Sequence, residues 1–352
     1  MENSSIKNQG QEIRAFILEN IPSHPKDIVA LTARKFDVSR TTVHRHLMRL
    51  FRDHEIVKTG DTRRATYYLK ESRDKNFSFK INSGITEDEI LTSYLTETFS
   101  GLEKNVLDIL EYGFTEIFNN ALEHSLGKDV EVNVLWHGDS IELKVFDDGY
   151  GIFNKIRDAL DLGDVRESIL HLTKGKLTTD PENHSGEGVF FTSRVFDLFV
   201  ISSYGMTYMR NNLENDWFLE SRKTAQKKGT WISMTIDRRS PRLLRDLFKK
   251  YSTNPETPAF DKSHILVGLS QLGDERYISR SQAKRILLGL DKFGSVVLDF
   301  KNVTTVGQAF VDEVFRVFRS RHPEISIEYE NASEDIVFMI QRSLPSPESK
   351  VS

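Results

Sequence analysis

Three polar residues in the middle of the chain, Glu116, Asn120 and His124, follow one another at intervals of four positions. In a helix this interval places their side chains on one face, and apolar residues at close to helical spacing predict a helix over residues 103–125. A carboxylate and an amide on one helix face can orient a water molecule and ligate Mg²⁺, which prefers oxygen ligands. We therefore expect a site for Mg²⁺ and water here.

A loop that runs from Asp147 to Gly151 follows a predicted strand at residues 141–146, whose start alternates as in a half-buried strand. Gly149 and Gly151 allow the backbone to approach a ligand closely and to turn with positive φ. The alternative interpretation is an ordinary Asp-Gly turn after a strand.

A second glycine-containing segment, Gly186-Glu187-Gly188, precedes another predicted helix. Glycines at a helix start expose backbone N–H groups, and the helix dipole favours a phosphate at that end. The sequence therefore predicts an anion-binding turn at Gly186 and Gly188.

In this order, the three motifs resemble the N box and the two glycine boxes of the GHKL ATPases. That family includes the gyrase B ATPase, Hsp90, the MutL repair proteins, histidine kinases and anti-sigma-factor kinases. The resemblance implies an α/β sandwich, the Bergerat fold, with a Mg-ATP site. Val189 and Phe190 stand where the family pattern has Leu and Gly, so the phosphate loop departs from that pattern.

The resemblance also assigns roles to residues. Glu116 would be the general base, Asn120 the Mg²⁺ ligand and Asp147 the acceptor of the adenine amino group. His124 would either contact a phosphate, directly or through another residue, or simply be the last residue of the helix. The remaining cofactor-binding positions implied by the family motifs are Gly149, Gly151, Gly186, Gly188 and Thr230.

The segment at residues 152–185 would be the lid over the nucleotide. Several of its cations could reach a phosphate, and the sequence does not choose among Arg157, Arg166, Lys174 and Lys176.

The N-terminal residues predict three helices, at 11–20, 26–36 and 40–54, followed by a hairpin at 56–69. Ser39 is a good N-cap for the third helix. This order resembles a winged helix-turn-helix domain, which implies DNA binding by the third helix and the wing; a purely protein-binding domain is the alternative. The DNA-contacting residues would be Arg40, Thr41, His44 and Arg45 on the helix and Arg63 and Arg64 on the wing.

Charge is distributed unevenly along the chain. Residues 1–72 contain 13 Lys and Arg against 9 Asp and Glu, whereas the whole chain has a net charge of −4, so the remainder carries −8. A basic segment on an acidic body is typical of a nucleic-acid partner for that segment.

Strands and helices alternate at the C-terminal end, with strands near residues 264–269, 295–300 and 325–329 and helices at 279–288 and 308–319. This alternation predicts a small α/β sheet with crossover helices. Residues 298–303 and 307–310 resemble a STAS domain, which implies a protein partner. Gly307-Gln308-Ala309 replaces the run that carries the family's phosphoacceptor serine, although Thr304 and Thr305 lie nearby.

The length of 352 residues predicts two or three domains, and the resemblances imply a multidomain α+β protein. We expect a winged helix at 1–75, a GHKL ATPase domain at 85–238 and a STAS-like domain at 258–345. The chain has no cysteine, no apolar run of membrane-spanning length and no apolar core at its start. Disulfides, a transmembrane helix, a membrane partner and a signal peptide are therefore not expected, and a cytoplasmic location fits.

Two functional hypotheses follow. The first is an ATP-binding transcription regulator that binds DNA, has a Mg-ATP site and could form a homodimer. The alternative is an anti-sigma-type serine/threonine kinase with an attached STAS-like domain. Whether ATP is hydrolysed or only bound stays open.

Overall fold

The computed structural model describes residues 2–53, 55–59, 65–69, 74–177, 186–221, 228–254, 256, 259–270 and 279–344. Within them the chain is a multidomain α+β protein with three separate sheets, as predicted. No helix in the described ranges is long and apolar enough to cross a membrane.

The N-terminal unit consists of three helices and a hairpin with its own hydrophobic core. The third helix begins at a capped turn, because the Ser39 hydroxyl accepts a hydrogen bond from the backbone N–H of Thr42 at 3.1 Å. Its apolar stripe of Val43, Leu47 and Leu50 is buried. The elements are α1 (Glu2–Asn20), α2 (Ile28–Phe36), α3 (Arg40–Arg52) and the antiparallel strands β1 (Ile56–Thr59) and β2 (Thr66–Leu69).

The central unit is built on a seven-stranded antiparallel sheet with the strand order β3-β4-β5-β9-β6-β7-β8. Its strands are β3 (Lys75–Lys80), β4 (Asp129–His137), β5 (Ser140–Asp147), β6 (Leu198–Ser203), β7 (Met206–Asn211), β8 (Asp216–Ser221) and β9 (Thr230–Asp237). Its helices are α4 (Glu87–Ile90), α5 (Thr96–Thr98), α6 (Lys104–His124), α7 (Ile152–Leu160), α8 (Glu167–Lys174), α9 (Gly188–Val195) and α10 (Leu244–Lys250), and a π-helical segment, Leu91–Leu95, joins α4 to α5.

Helix α6 lies directly on the buried face of this sheet. Ile141, Leu143 and Val145 of β5 are buried on that face, since alternate residues of a strand point to the same side. Gly113 permits the close approach, because a Cβ atom there would lie 2.4 Å from the Phe196 ring. The polar residues of α6 are thereby held beside the end of β5.

The C-terminal unit is a three-stranded parallel sheet with helical crossovers, in the strand order β10-β11-β12. Its elements are β10 (Lys262–Leu266), α11 (Arg280–Leu287), β11 (Ser295–Asp299), α12 (Gln308–Asp312), α13 (Arg319–Arg321), β12 (Ser326–Glu330) and α14 (Glu334–Ser343), with a π-helical segment, Glu313–Phe318, between α12 and α13. The three strands and the helices between them lie close to where the alternation in the sequence predicts them, whereas α14 was not predicted.

The central and C-terminal units share one continuous hydrophobic core. At its polar centre is Lys174, the last residue of α8, which is only 3% exposed. Its Nζ donates hydrogen bonds to the carbonyl oxygens of Arg285 and Leu288, each at 3.0 Å, and its own carbonyl accepts one from the Ser263 hydroxyl at 2.6 Å. Burial lowers the pKa of Lys174 to about 7. Helix α8 is thus attached to the C-terminal unit.

His171 makes the stability of this interface dependent on pH. It is buried in α8, and burial, followed by the charges of Lys174 and Lys292, lowers its pKa from 6.5 to about 3. The unfolded chain therefore takes up a proton below the ordinary pKa, whereas the folded chain does not until the pH is far lower. Stability is consequently lost as the pH falls from 6.5 towards 3.

We expect His171→Leu to remove about 2–3 kcal/mol of the stability difference between pH 7 and pH 4.5. Urea unfolding at both pH values measures this difference. His322→Leu, at a partly exposed position, is the matched control and should change it little. An equal acid sensitivity of the wild type and the His171 variant would contradict this assignment.

Candidate functional site

A cavity of about 340 Å³ opens between α6, the end of β5, α7 and the start of α9. Most of the residues predicted for the nucleotide site line it, although they come from four distant parts of the sequence. Those that line the cavity are Glu116, Asn120, His124, Asp147, Gly186, Gly188 and Thr230. Gly149 and Gly151 lie in the adjoining loop between β5 and α7.

Asp147 ends β5 at the cavity wall and is 6% exposed. Its Oδ1 accepts hydrogen bonds from the backbone N–H groups of Gly149 at 2.9 Å and Thr230 at 3.3 Å. Burial raises the pKa of Asp147, and these two hydrogen bonds oppose that rise. The Thr230 hydroxyl accepts a further hydrogen bond from Ile152 N–H at 3.0 Å. The carboxylate is therefore fixed in orientation between two strands and the start of α7.

The Asp147–Gly151 loop requires its glycines. A Cβ atom at Gly149 would lie 2.1 Å from the Ser125 carbonyl oxygen, and Gly151 has a φ of +87°. The same Ser125 carbonyl accepts a hydrogen bond from Tyr150 N–H at 2.8 Å. The loop consequently packs against the end of α6, which brings the Asp147 end of β5 beside the polar face of that helix.

Gly188 lies directly over Glu116. A Cβ atom at Gly188 would lie 1.9 Å from Glu116 Oε2, so a side chain there would displace the Glu116 carboxylate. Glu187 is close as well, since the charges of Glu116 and Glu187, after burial, raise the pKa of Tyr112. Burial also raises the pKa of Glu187. The backbone at the start of α9 thus faces the Glu116 carboxylate across the cavity.

Asn120 and His124 lie one and two turns further along α6. The Asn120 Nδ2 group donates a hydrogen bond to the Glu116 carbonyl oxygen at 2.6 Å, which leaves Oδ1 as the atom available to a cation. The His124 carbonyl accepts a hydrogen bond from Lys155 Nζ at 2.9 Å.

Lys155 is a cavity residue that the sequence did not identify. It is the only Lys or Arg among the described lining residues, and burial lowers its pKa. Its backbone N–H bonds to the carbonyl of Gly151, so it lies one helical turn after the glycine loop; that spacing was the available signal. Four carboxylates also line the cavity, namely Glu116, Glu123, Asp147 and Glu187. A polyphosphate would therefore need a divalent cation to bind here.

The four lid cations named from the sequence have other partners and are absent from the described cavity lining. Arg157 pairs with Asp158 at 2.6 Å and Arg166 with Asp164 at 2.8 Å. Lys174 is bonded to the C-terminal unit, and Lys176 Nζ donates a hydrogen bond to the Lys292 carbonyl at 2.8 Å. The attachment of the lid to the C-terminal unit, which the sequence does not show, therefore accounts for both lysines.

The residues predicted to contact DNA on the third helix lie on one exposed surface of α3. They are Arg40, Thr41, His44 and Arg45, and they lie away from the buried stripe of the helix. Burial, followed by the charges of Arg14, Arg45 and Arg49, lowers the pKa of His46, which indicates a positive potential around this helix. Arg63 and Arg64 lie outside the described residues.

At the start of α12, Gly307-Gln308-Ala309 carries no hydroxyl group, as the sequence indicated. Thr304 and Thr305 precede it in an exposed turn. These two hydroxyls are the accessible nucleophiles closest in sequence to the start of α12.

Comparison with known proteins gives one family match. A family model described as "STAS-like domain of unknown function (DUF4325)" matches residues 282–337, which run from α11 into α14. No curated protein matches the chain. The expectation for the C-terminal unit is thus confirmed over this range: residues 282–337 are a STAS-like domain.

Proposed function

We propose that this chain is an ATP-binding regulator in which a central GHKL module binds Mg-ATP and an N-terminal winged helix binds DNA. The observation that carries the nucleotide half is the convergence of Glu116, Asn120, Asp147 and Gly188 around one cavity. Residues of these types, separated by up to 72 positions in the sequence, line one cavity, which supports a site for adenine, phosphate and Mg²⁺.

The residues present fit a magnesium nucleotide. The cavity lies within the usual range for small-molecule sites, about 300–1,000 Å³, and the start of α9 approaches the Glu116 carboxylate closely because Gly188 has no Cβ atom. Asp147 offers a buried acceptor for the adenine amino group. The other three carboxylates would repel the phosphates, so a cation must bind together with them. Mg²⁺, when bound, would neutralise phosphate charge and polarise the terminal phosphoryl group.

Each protein group then has one task. Asp147 accepts a hydrogen bond from the adenine amino group and so selects adenine over guanine. Asn120 Oδ1 would ligate the cation, and the backbone N–H groups near Gly188 would face the phosphates. Lys155, released from the His124 carbonyl, would approach the same phosphates. Glu116 holds the attacking water and takes its proton.

Calorimetric titration with ATP and GTP, each with Mg²⁺ and with EDTA, tests the proposal that the central unit binds Mg-ATP. We expect binding that is specific for adenine and depends on Mg²⁺. Equal affinity for the two nucleotides, or no binding of either, would contradict it.

The DNA-binding half is supported by the exposed polar and basic face of α3 and the positive charge of residues 1–72. The Arg45 side chain is expected to contact a base or a phosphate. If it contacts a phosphate, Arg45→Ala should weaken binding to all DNA sequences about equally. The slope of log K against log salt concentration should then become shallower by about one. If it contacts a base, the variant should instead relax sequence specificity. Arg239→Ala, which removes an exposed arginine of the central unit, is the matched control.

The same DNA titration, run without nucleotide, with ADP and with a non-hydrolysable ATP analogue, tests coupling between the two modules. A nucleotide can shift DNA binding only if it binds two states of the protein differently. Unequal DNA affinities are expected, and a nucleotide-dependent homodimer would enhance them through effective concentration. Equal affinities in all three conditions would show that no such switch exists.

A further inference from the structure

The C-terminal sheet carries a cluster of three potential metal ligands, one from each of its strands. They are His264 on β10, Asp299 at the end of β11 and Glu330 at the end of β12. Leu266 pairs with Asp299, which in turn pairs with Glu330. Because His264 lies two positions before Leu266, all three side chains extend from the same face of the sheet.

The ligand atoms are close enough to share one ion. His264 Nε2 lies 2.7 Å from Glu330 Oε1 and 3.7 Å from Asp299 Oδ2. One atom from each residue lies within 4.8 Å of the others. Atoms bound to one ion at about 2.0–2.2 Å are separated by about 3–4 Å, so the arrangement needs only small side-chain movements to close around a cation.

Asp299 provides an independent indication of a ligand. Its carboxylate is only 3% exposed. The Oδ1 atom accepts hydrogen bonds from Lys301 N–H and Asn331 Nδ2, each at 2.8 Å. No described residue donates a hydrogen bond to Oδ2, which faces His264 instead. Supporting hydrogen bonds to one oxygen of a carboxylate are typical of carboxylates that bind a metal through the other oxygen.

The charges of the cluster favour a cation. The His264 Nε2 atom faces both carboxylates, those of Asp299 and Glu330. An imidazole that binds a metal is neutral, so the two carboxylates would contribute two negative charges, which one divalent ion neutralises.

We propose that His264, Asp299 and Glu330 bind one divalent transition-metal ion of the Mn²⁺ or Zn²⁺ class. One imidazole nitrogen with two carboxylate oxygens suits these ions, whereas Mg²⁺ is usually held by oxygen ligands alone. The ion would connect the edge strand β12 to β10 and β11, and its role is structural. The site is separate from the central cavity and does not depend on nucleotide binding.

Calorimetric titration of the EDTA-treated full chain with Mn²⁺ or Zn²⁺, in the absence of nucleotide, tests the proposal. We expect one ion per chain, a rise in the unfolding temperature of the wild type with metal, and an affinity reduced more than about tenfold in Glu330→Gln and His264→Gln. Mg²⁺ should bind this site far more weakly.

The control is Glu324→Gln. Glu324 forms a surface pair with His322 at 3.3 Å, so the variant makes the same substitution beside another histidine and should leave metal binding unchanged. Glu330 is 47% exposed, so its variant should fold normally, which circular dichroism can check. The proposal is overturned if the wild type binds no stoichiometric ion, if both ligand variants keep wild-type affinity, or if Glu324→Gln reduces it equally.

Discussion

Asp147→Asn is expected to weaken ATP binding about 30- to 150-fold, which corresponds to about 2–3 kcal/mol for a hydrogen bond to a charged group. The Asp147 Oδ1 atom already accepts hydrogen bonds from Gly149 and Thr230. An asparagine that keeps those bonds would place its NH₂ group where the adenine amino group must donate. Two donors would then oppose each other in a buried site, so the loss should be larger than that of a surface contact.

The matched control is Glu123→Gln. Glu123 lines the same cavity, so this variant removes the same charge without touching the adenine position. Calorimetric titration should show a large loss of ATP affinity for the Asp147 variant and a small change for the control. The discrimination between ATP and GTP should also fall only in the Asp147 variant. Unchanged affinity in a folded Asp147→Asn protein would remove the basis for the adenine site.

The second large effect is expected on ATP hydrolysis, at the contact between Glu116 and Gly188. Glu116→Ala should preserve ATP binding but slow hydrolysis about 10²- to 10⁴-fold, the usual contribution of a general base. Gly188→Ala should act through the same carboxylate, because the new methyl group would occupy the position of Glu116 Oε2. The double variant should be no slower than Glu116→Ala alone, since both changes remove one function.

Gly163→Ala is the control for the glycine substitution, because no atom lies within 4 Å of a Cβ built there. Phosphate release from labelled ATP measures the rate. Wild-type hydrolysis in Glu116→Ala would exclude Glu116 as the base. Label recovered on Thr304 or Thr305 instead of free phosphate would favour the alternative function, a serine/threonine kinase of the anti-sigma type.

The sequence predicted the part of the cavity that depends on local spacing. Helical periodicity placed Glu116 and Asn120 on one face, and a strand ending at Asp147 placed the carboxylate at a sheet edge. Lys155 was missed because its approach to His124 depends on how α7 packs against the end of α6. The spacing of Lys155 from Gly151 places it one turn after the glycine loop, but only this long-range packing brings its amine to the cavity.

The same limit applies to the C-terminal unit. Its strands and helices follow from the alternation of apolar and polar runs. The cluster of His264, Asp299 and Glu330 does not, because it depends on the relative register of three parallel strands, which the sequence alone does not fix. The sequence likewise predicted that Lys174 lies in the lid and could reach a phosphate. In the structure its amine donates hydrogen bonds to carbonyl oxygens of the C-terminal unit.

The burial of Lys174 has a consequence for how this protein can be divided. The central and C-terminal units share a core, and removing the chain beyond residue 258 would leave the Lys174 amine without its carbonyl acceptors and expose the apolar surface around Gly175. These two units should therefore unfold as one cooperative block, while the N-terminal unit, with its own core, unfolds separately. The three units along the sequence thus correspond to two units of folding, and a fragment of the central unit without the C-terminal unit should not preserve the intact cavity.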